Sequence, residues 1–285
     1  TMLSLHTNAA GLSAQNSITR TQTSLSTSMT RLSTGYRINS AMDDAAGLQI
    51  ATRLKAQTSG MAVAMRNTQN STSMLQTAEG ALDEVSNMLV RMKDLATQAA
   101  DQSSTQADKD AMQLEYDALG TELGNVLKNT TFGGANLLVG GTIASSMKFQ
   151  IGASSTETMT VSLATDVTAV ATDVGAATSN YTTAGTGTEV ASGTAATASI
   201  AKLDTALASV GKVRSGLGAA ANRLEHVYNN LANVSTNSKA ATGRIMDTDF
   251  ATESSNMTAK QMLMQAGTAM LKQTNQMSSM VMSLL

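Results

Sequence analysis

Few residues in this chain could do chemistry, and their spacing argues against each chemistry in turn. Cysteine is absent, which removes thiol nucleophiles, disulfides and thiolate metal sites together. The histidines are His6 and His226, and neither belongs to a His-Glu-x-x-His pair, so the usual helical zinc arrangement is missing. Asp43 and Asp44 could in principle hold a cation or work as an acid pair. They follow Asn39 and Ser40 and precede a long helical repeat, a position that reads as a cap at the positive end of a helix dipole. Gly216-Leu-Gly218-Ala-Ala-Ala221 imitates a dinucleotide fingerprint but lies inside a heptad pattern with no strand before it. Gly133-Gly134 and Gly140-Gly141 lack the Gly-Lys-Ser/Thr of a phosphate loop and read as turns. The expectation is a protein that is not an enzyme, with no catalytic residue, no cofactor and no metal.

Composition narrows the class further. In 285 residues there is no Trp, no Pro and only 2% aromatic residues, while Met reaches 19. Thick cores use rings to fill volume, whereas Ala, Leu, Val and flexible Met suit narrow seams between helices. A formal net charge of −2 argues against nucleic acid as a partner. No run of about 18 apolar residues stands ready to insert in a bilayer, and no charged, apolar and small-residue leader pattern opens the chain, so no secretory signal peptide is expected.

The elements follow from periodicity. Ala51, Leu54, Thr58, Met61, Met65, Thr68, Thr72, Leu75, Ala78, Leu82, Val85, Leu89, Met92, Ala96 and Ala99 recur three and four apart. That spacing predicts one helix about 70 Å long, which needs a partner along its length. The pattern breaks at Asp101 to Thr105 and resumes with Met112, Tyr116, Leu119, Leu123 and Val126 on a helix folding back. It returns downstream through Ile200, Leu203, Leu207, Val210, Leu217, Ala221, Leu224, Tyr228 and Leu231, with Arg214 as a misfit. The rod seam is therefore assigned to Leu75, Leu82, Leu89, Leu203, Leu207 and Leu224. Between these helices Met147, Phe149 and Ile151, then Met159, Val161 and Leu163, alternate with polar residues and predict a β-hairpin. Residues 164 to 197 show little pattern and read as a weakly structured surface excursion at the tip of the rod.

The two ends complete the picture. Leu263, Ala266, Met270, Met277, Val281 and Leu284 form one apolar stripe, and Ala14, Ile18, Leu25, Met29, Leu32 and Tyr36 form another. Past Glu253 the only charges are Lys260 and Lys272. The economical reading pairs the ends as a coiled coil whose remaining faces meet other copies of the chain. The fold expected is mainly α: an elongated antiparallel helical bundle with a small β-hairpin at the tip of the rod and paired terminal helices. Charge is uneven as well. Residues 1 to 66 carry a net +4 and residues 79 to 122 a net −7, which could steer stacking of neighbours or simply reflect solvated helix faces.

Two motifs then point to a family. Arg31-Leu-Ser-Thr-Gly-Tyr-Arg-Ile-Asn-Ser-Ala-Met-Asp-Asp-Ala-Ala-Gly47 closely resembles the N-terminal signature of bacterial flagellin. So does Arg244-Ile-Met-Asp-Thr-Asp-Phe-Ala-Thr-Glu-Ser-Ser-Asn-Met257, followed by Gln265-Ala-Gly267 and the closing Leu284-Leu285. The resemblance is collinear over about residues 2 to 163 and 198 to 285, and the short, Met-rich character is similar to lateral flagellins. It implies an inner-tube coiled coil of residues 1–35 and 250–285, connectors at 36–47 and 241–249, a rod domain of 48–163 and 198–240, and a short variable surface segment at 164–197.

The polymerisation seam implied is Ile18, Leu25, Met29, Leu32, Leu263, Met270, Met277, Val281 and Leu284. The resemblance further implies a secreted, extracellular subunit that polymerises into a hollow helical filament for swimming or swarming. Its partners would be its own copies, an export chaperone on the C-terminal segment, the flagellar type III export apparatus, and the filament cap and hook-junction proteins. The flagellin-sensing Toll-like receptor would read Arg91, Leu95 and Glu115, and Ser and Thr of 164–197 could carry O-linked sugar. The alternatives are a hook-filament junction protein, which shares the terminal plan, and a coiled-coil signalling scaffold, which needs a sensor or anchor.

Overall fold

The computed structural model describes residues 8–282. Six helices and two small antiparallel ribbons follow one another as α1 Ala9–Thr34, α2 Ala45–Ala100, α3 Gln106–Asn129, β1 Thr131–Phe132, β2 Ala135–Asn136, β3 Ser146–Gln150, β4 Thr158–Ser162, α4 Ala164–Ala177, α5 Gly193–Met246 and α6 Phe250–Met282. A short 3-10 turn, Ser179–Tyr181, follows α4. The chain divides into two compact units, one of Thr1–Thr58 with Thr236–Leu285 and one of Ser59–Ser235.

In the second unit the core is a continuous seam. Leu75, Leu82 and Leu89 of α2 are buried together with Tyr116 and Leu123 of α3 and Leu203, Leu217 and Leu224 of α5. Leu207 packs against this core only partly buried, and Ala206 and Val210 occupy the seam beside it. The α2–α3 turn is closed by Thr105, whose hydroxyl and backbone N–H pair reciprocally with Asp108, a capping box that satisfies two otherwise orphaned donors. Strands β3 and β4 pair with Met147 opposite Val161 and Phe149 opposite Met159, the alternation that periodicity predicts. Ala153, in the hairpin turn, lies against α2: a Cβ added at Gly60 would stand 2.7 Å from that of Ala153. The hairpin turn therefore sits at the Gly60 end of this stretch of α2, away from the α2–α3 turn.

Residues 164 to 197 are not weakly structured. Val167, Val170, Val174 and Ala177 recur at helical spacing in α4, and all four are buried in the core. A run rich in Ala and Thr conceals that period, because small residues fill the positions between.

In the first unit α1 begins at Asn8, whose side chain accepts from Gly11 N at 2.9 Å. It ends at Gly35, whose φ of 75° is the left-handed conformation that glycine adopts without Cβ strain. The connector then runs back along the end of α5: Arg37 N donates to Met246 O at 2.6 Å and Thr248 N to Gly35 O at 3.0 Å. The two adjacent aspartates divide the work expected of them. Asp44 accepts from Gly47 N at 2.9 Å and caps α2, while Asp43 gathers the backbone N–H groups of Asn39 and Ser40. Those N–H groups hold the Asp43 carboxyl below its ordinary pKa.

Candidate assembly surface

Helices α1 and α6 pack on each other. They run antiparallel, since Arg31 meets Glu253, Ser28 meets Lys260 and Ile18 meets Gly267. On α1 the covered positions include Gly11, Ala14, Ile18, Thr21, Leu25, Ser28 and Leu32; on α6 they are Glu253, Met257, Lys260, Met264, Gly267, Leu271 and Thr274. Both sets step by three and four, the spacing of a coiled-coil seam.

This seam differs from the one read off the sequence. Ile18, Leu25 and Leu32 lie in it, but Met29 points outward and Ser28 takes the inner position. On α6 the stripe is displaced by one residue: Leu263 is 62% exposed, Met270 64% and Met277 52%. The cause is doubling, because Leu263-Met264 and Met270-Leu271 offer two adjacent apolar stripes about 100° apart around the helix. Charges at Glu253 and Lys260 disguise the true seam as a solvent face. Leu284 and the side chain of Val281 lie outside the described residues.

The pair thus leaves Met262, Leu263, Met270 and Met277 uncovered on α6, and Leu12 and Met29 on α1. The surface around them is chemically quiet. Thr19, Thr23, Thr27, Thr30 and Thr34 each donate their hydroxyl to the carbonyl four residues back. Ser255 and Thr258 do the same on α6. A hydroxyl already bonded to its own helix loses less when water leaves, so a neighbour can cover these faces at low desolvation penalty.

The second unit carries polar anchors that periodicity missed. Gln113 and Asp117 are buried on α3. Gln113 Nε2 donates to Asp117 Oδ1 at 2.7 Å and to Glu189 Oε2 at 3.0 Å, and its Oε1 accepts from Val190 N at 2.7 Å. Gly187 N donates to Asp117 Oδ2, and Ser179 N to Glu189 Oε1. Burial alone would push the Glu189 carboxyl up, but the Ser179 and Gln113 donors outweigh it and leave the carboxyl below its ordinary pKa. Tyr116, its phenol pushed up by burial, donates to Ala177 O at 2.7 Å. The one sequence signal was Gln113 and Asp117 lying four apart beside the apolar stripe.

Of the three residues assigned to receptor recognition, Arg91 and Glu115 form an exposed ion pair at 2.6 Å. Leu95 is 3% exposed and belongs to the core, so a partner at the surface would meet only the other two. Some charges are paired within the second unit. Lys93 pairs with Asp204 at 2.5 Å, Lys212 with Asp166 at 2.8 Å, and Arg214 bridges Glu79 and Asp83. Arg214 is no misfit, because its guanidinium leaves the seam to meet those carboxylates.

Residues 5–143 match the family model of the bacterial flagellin N-terminal helical region, and residues 200–285 that of the C-terminal helical region. Flagellin A of Vibrio anguillarum is 33% identical over 378 aligned positions, covering 99% of both chains. A flagellin of Halalkalibacterium halodurans is 36% identical over 258 positions and 90% of both chains. A solved structure of a putative flagellar hook-associated protein from Vibrio parahaemolyticus shares the fold at TM-score 0.54 and 17% identity, over 72% of this chain and all of that one.

Proposed function

The chain belongs to the bacterial flagellin family and is a structural subunit of the extracellular flagellar filament, and we propose that it packs against its own copies through the outer face of α1 and α6. The observation that carries this reading is the Leu263, Met270 and Met277 stripe, more than half exposed on a helix whose adjacent face is already occupied by α1. Covering what remains exposed of three such side chains yields on the order of 4 kcal/mol, at about 1 to 1.5 kcal/mol each. Association costs about 4 kcal/mol or more, so one such contact is marginal and a subunit needs several neighbours at once. A helical polymer supplies them. The same arithmetic predicts a chain that stays dispersed when dilute and adds to an existing end.

On this reading residues 1–35 and 250–285 form the inner tube and 48–163 and 198–240 the rod shell, with α4 of the short 164–197 segment packed into the rod core. The role is mechanical rather than catalytic. Export through the type III apparatus, a chaperone on the C-terminal segment, and contact with cap and hook-junction proteins belong to the same proposal, supported by family membership. Recognition by the flagellin-sensing Toll-like receptor would use Arg91 and Glu115.

The test is the triple variant Leu263→Ser, Met270→Ser and Met277→Ser, grown on short filament seeds. It is expected to raise the critical concentration at least tenfold while the circular dichroism of the second unit is unchanged. Polymerisation at the unaltered critical concentration would place the packing surface elsewhere.

A further inference from the structure

The α1–α6 seam is an unusual mixture. Its apolar positions repeat at seven, Ile18, Leu25 and Leu32 on one helix and Met257, Met264 and Leu271 on the other. Apolar packing of that kind is blind to a slip of seven residues, because each side chain then falls where an equivalent one stood. Three contacts along the helices are not blind to it, nor is the connector bridge at their ends. Arg31 meets Glu253 at 3.8 Å, Lys260 Nζ donates to Ser28 Oγ at 2.7 Å and to Ser24 O at 3.3 Å, and Ile18 leans on Gly267, where an added Cβ would stand 2.9 Å from Ile18 Cγ1.

We propose that these three contacts, acting with the connector bridge of Thr248 to Gly35 and Arg37 to Met246, hold the register of the α1–α6 pair by making both one-heptad slips unfavourable. The proposal rests on the reading of that pair as the packing unit of the filament. Sliding α6 one way brings Lys260 to the place of Glu253, cation against the cation of Arg31, and puts Thr274 where Gly267 made room for Ile18. Sliding it the other way sets the Glu253 carboxylate against the Ser24 carbonyl, and lays Lys260 over Ile18. Each slip therefore buries a mismatched charge and closes the notch, and such repulsive features select one arrangement among near-equal ones.

The energetics of the seam agree with selection rather than affinity. Among the described residues Arg31 Nε and Glu253 Oε1 are buried without a hydrogen-bond partner, and their ion pair is long, so the contact adds little net stability. What it adds is a penalty on the alternatives. Register matters to a filament because it decides which side chains the outer face presents at each height, and copies with different registers would not fit one lattice.

The chain contains no cysteine, so introduced pairs can report register directly. Thr21→Cys is combined with Met264→Cys for the observed register, or with Leu271→Cys or Met257→Cys for the two slips. A short thiol cross-linker is applied to the full chain, and the intrachain product is measured by mass. In the otherwise unaltered chain the 21–264 product is expected to exceed the others at least tenfold. Arg31→Glu repels Glu253 and attracts Lys260, so it should raise the 21–271 product at least tenfold, and adding Glu253→Lys should return it to its original level. Lys260→Met removes the misplaced cation from both slips but leaves the notch and the connector bridge, so it should raise the 21–271 and 21–257 products at least threefold while 21–264 stays the main one. Slip products unchanged in both Arg31→Glu and Lys260→Met would overturn the proposal. Absence of all three products from the unaltered background would overturn the pairing itself, and the register proposal with it.

Discussion

Side chains that sequence periodicity overlooks carry much of the specificity of this fold. Gln113 is the centre of one cluster, joining two carboxylates and the Val190 backbone while itself buried. Gln113→Leu keeps the volume but removes the donor to Asp117 and Glu189 and the acceptor for Val190 N. Stranded buried partners cost about 1 to 3 kcal/mol each, so a loss of roughly 2 to 4 kcal/mol is expected in denaturant unfolding of the soluble chain. Arg214 is the contrast. Its carboxylate partners are about half exposed, so Arg214→Met should change stability by less than about 1 kcal/mol. Acid response is also set at this scale. Asp43, Asp101, Asp108 and Asp249 are each held below the ordinary value of 3.8 by local hydrogen bonds. Depressed carboxyls contribute stability above the unfolded value and lose it as pH falls through the folded one. Thermal unfolding should therefore be flat near neutrality and weaken below about pH 4, and Asp249→Asn should flatten that acid arm.

At the scale of elements, the long helices and the hairpin were legible because repeats of three to four and of two survive in Leu75, Leu82 and Leu89 and in Met147, Phe149, Met159 and Val161. Helix α4 was hidden by its small residues. The face of α6 was misread by one position because Leu and Met stand side by side, and because a charged seam position such as Lys260 resembles a surface one until its partner Ser28 is found. Pattern alone cannot tell which of two apolar stripes faces inward; a partner's notches and hydrogen bonds decide it. Gly267 is such a notch. Gly267→Ala should destabilise the α1–α6 pair by about 1 to 3 kcal/mol through overpacking against Ile18, read as earlier loss of helical signal on heating, despite the better helix propensity of Ala.

At the scale of the whole molecule, the terminal pair is a partly finished core. Its inner side is closed by α1 on α6, and its outer side exposes Leu263, Met270 and Met277 on helices nearly free of charge. Family membership makes other copies of the chain its partner in a filament, and on the proposed reading they cover this face. The most direct measurement is peroxide footprinting of Met270 and Met277 by mass spectrometry, in dispersed chains and in filaments grown from them. If the outer stripe is the packing surface, both methionines oxidise at least tenfold more slowly in filaments than in the dispersed chain; equal rates in the two states would contradict it.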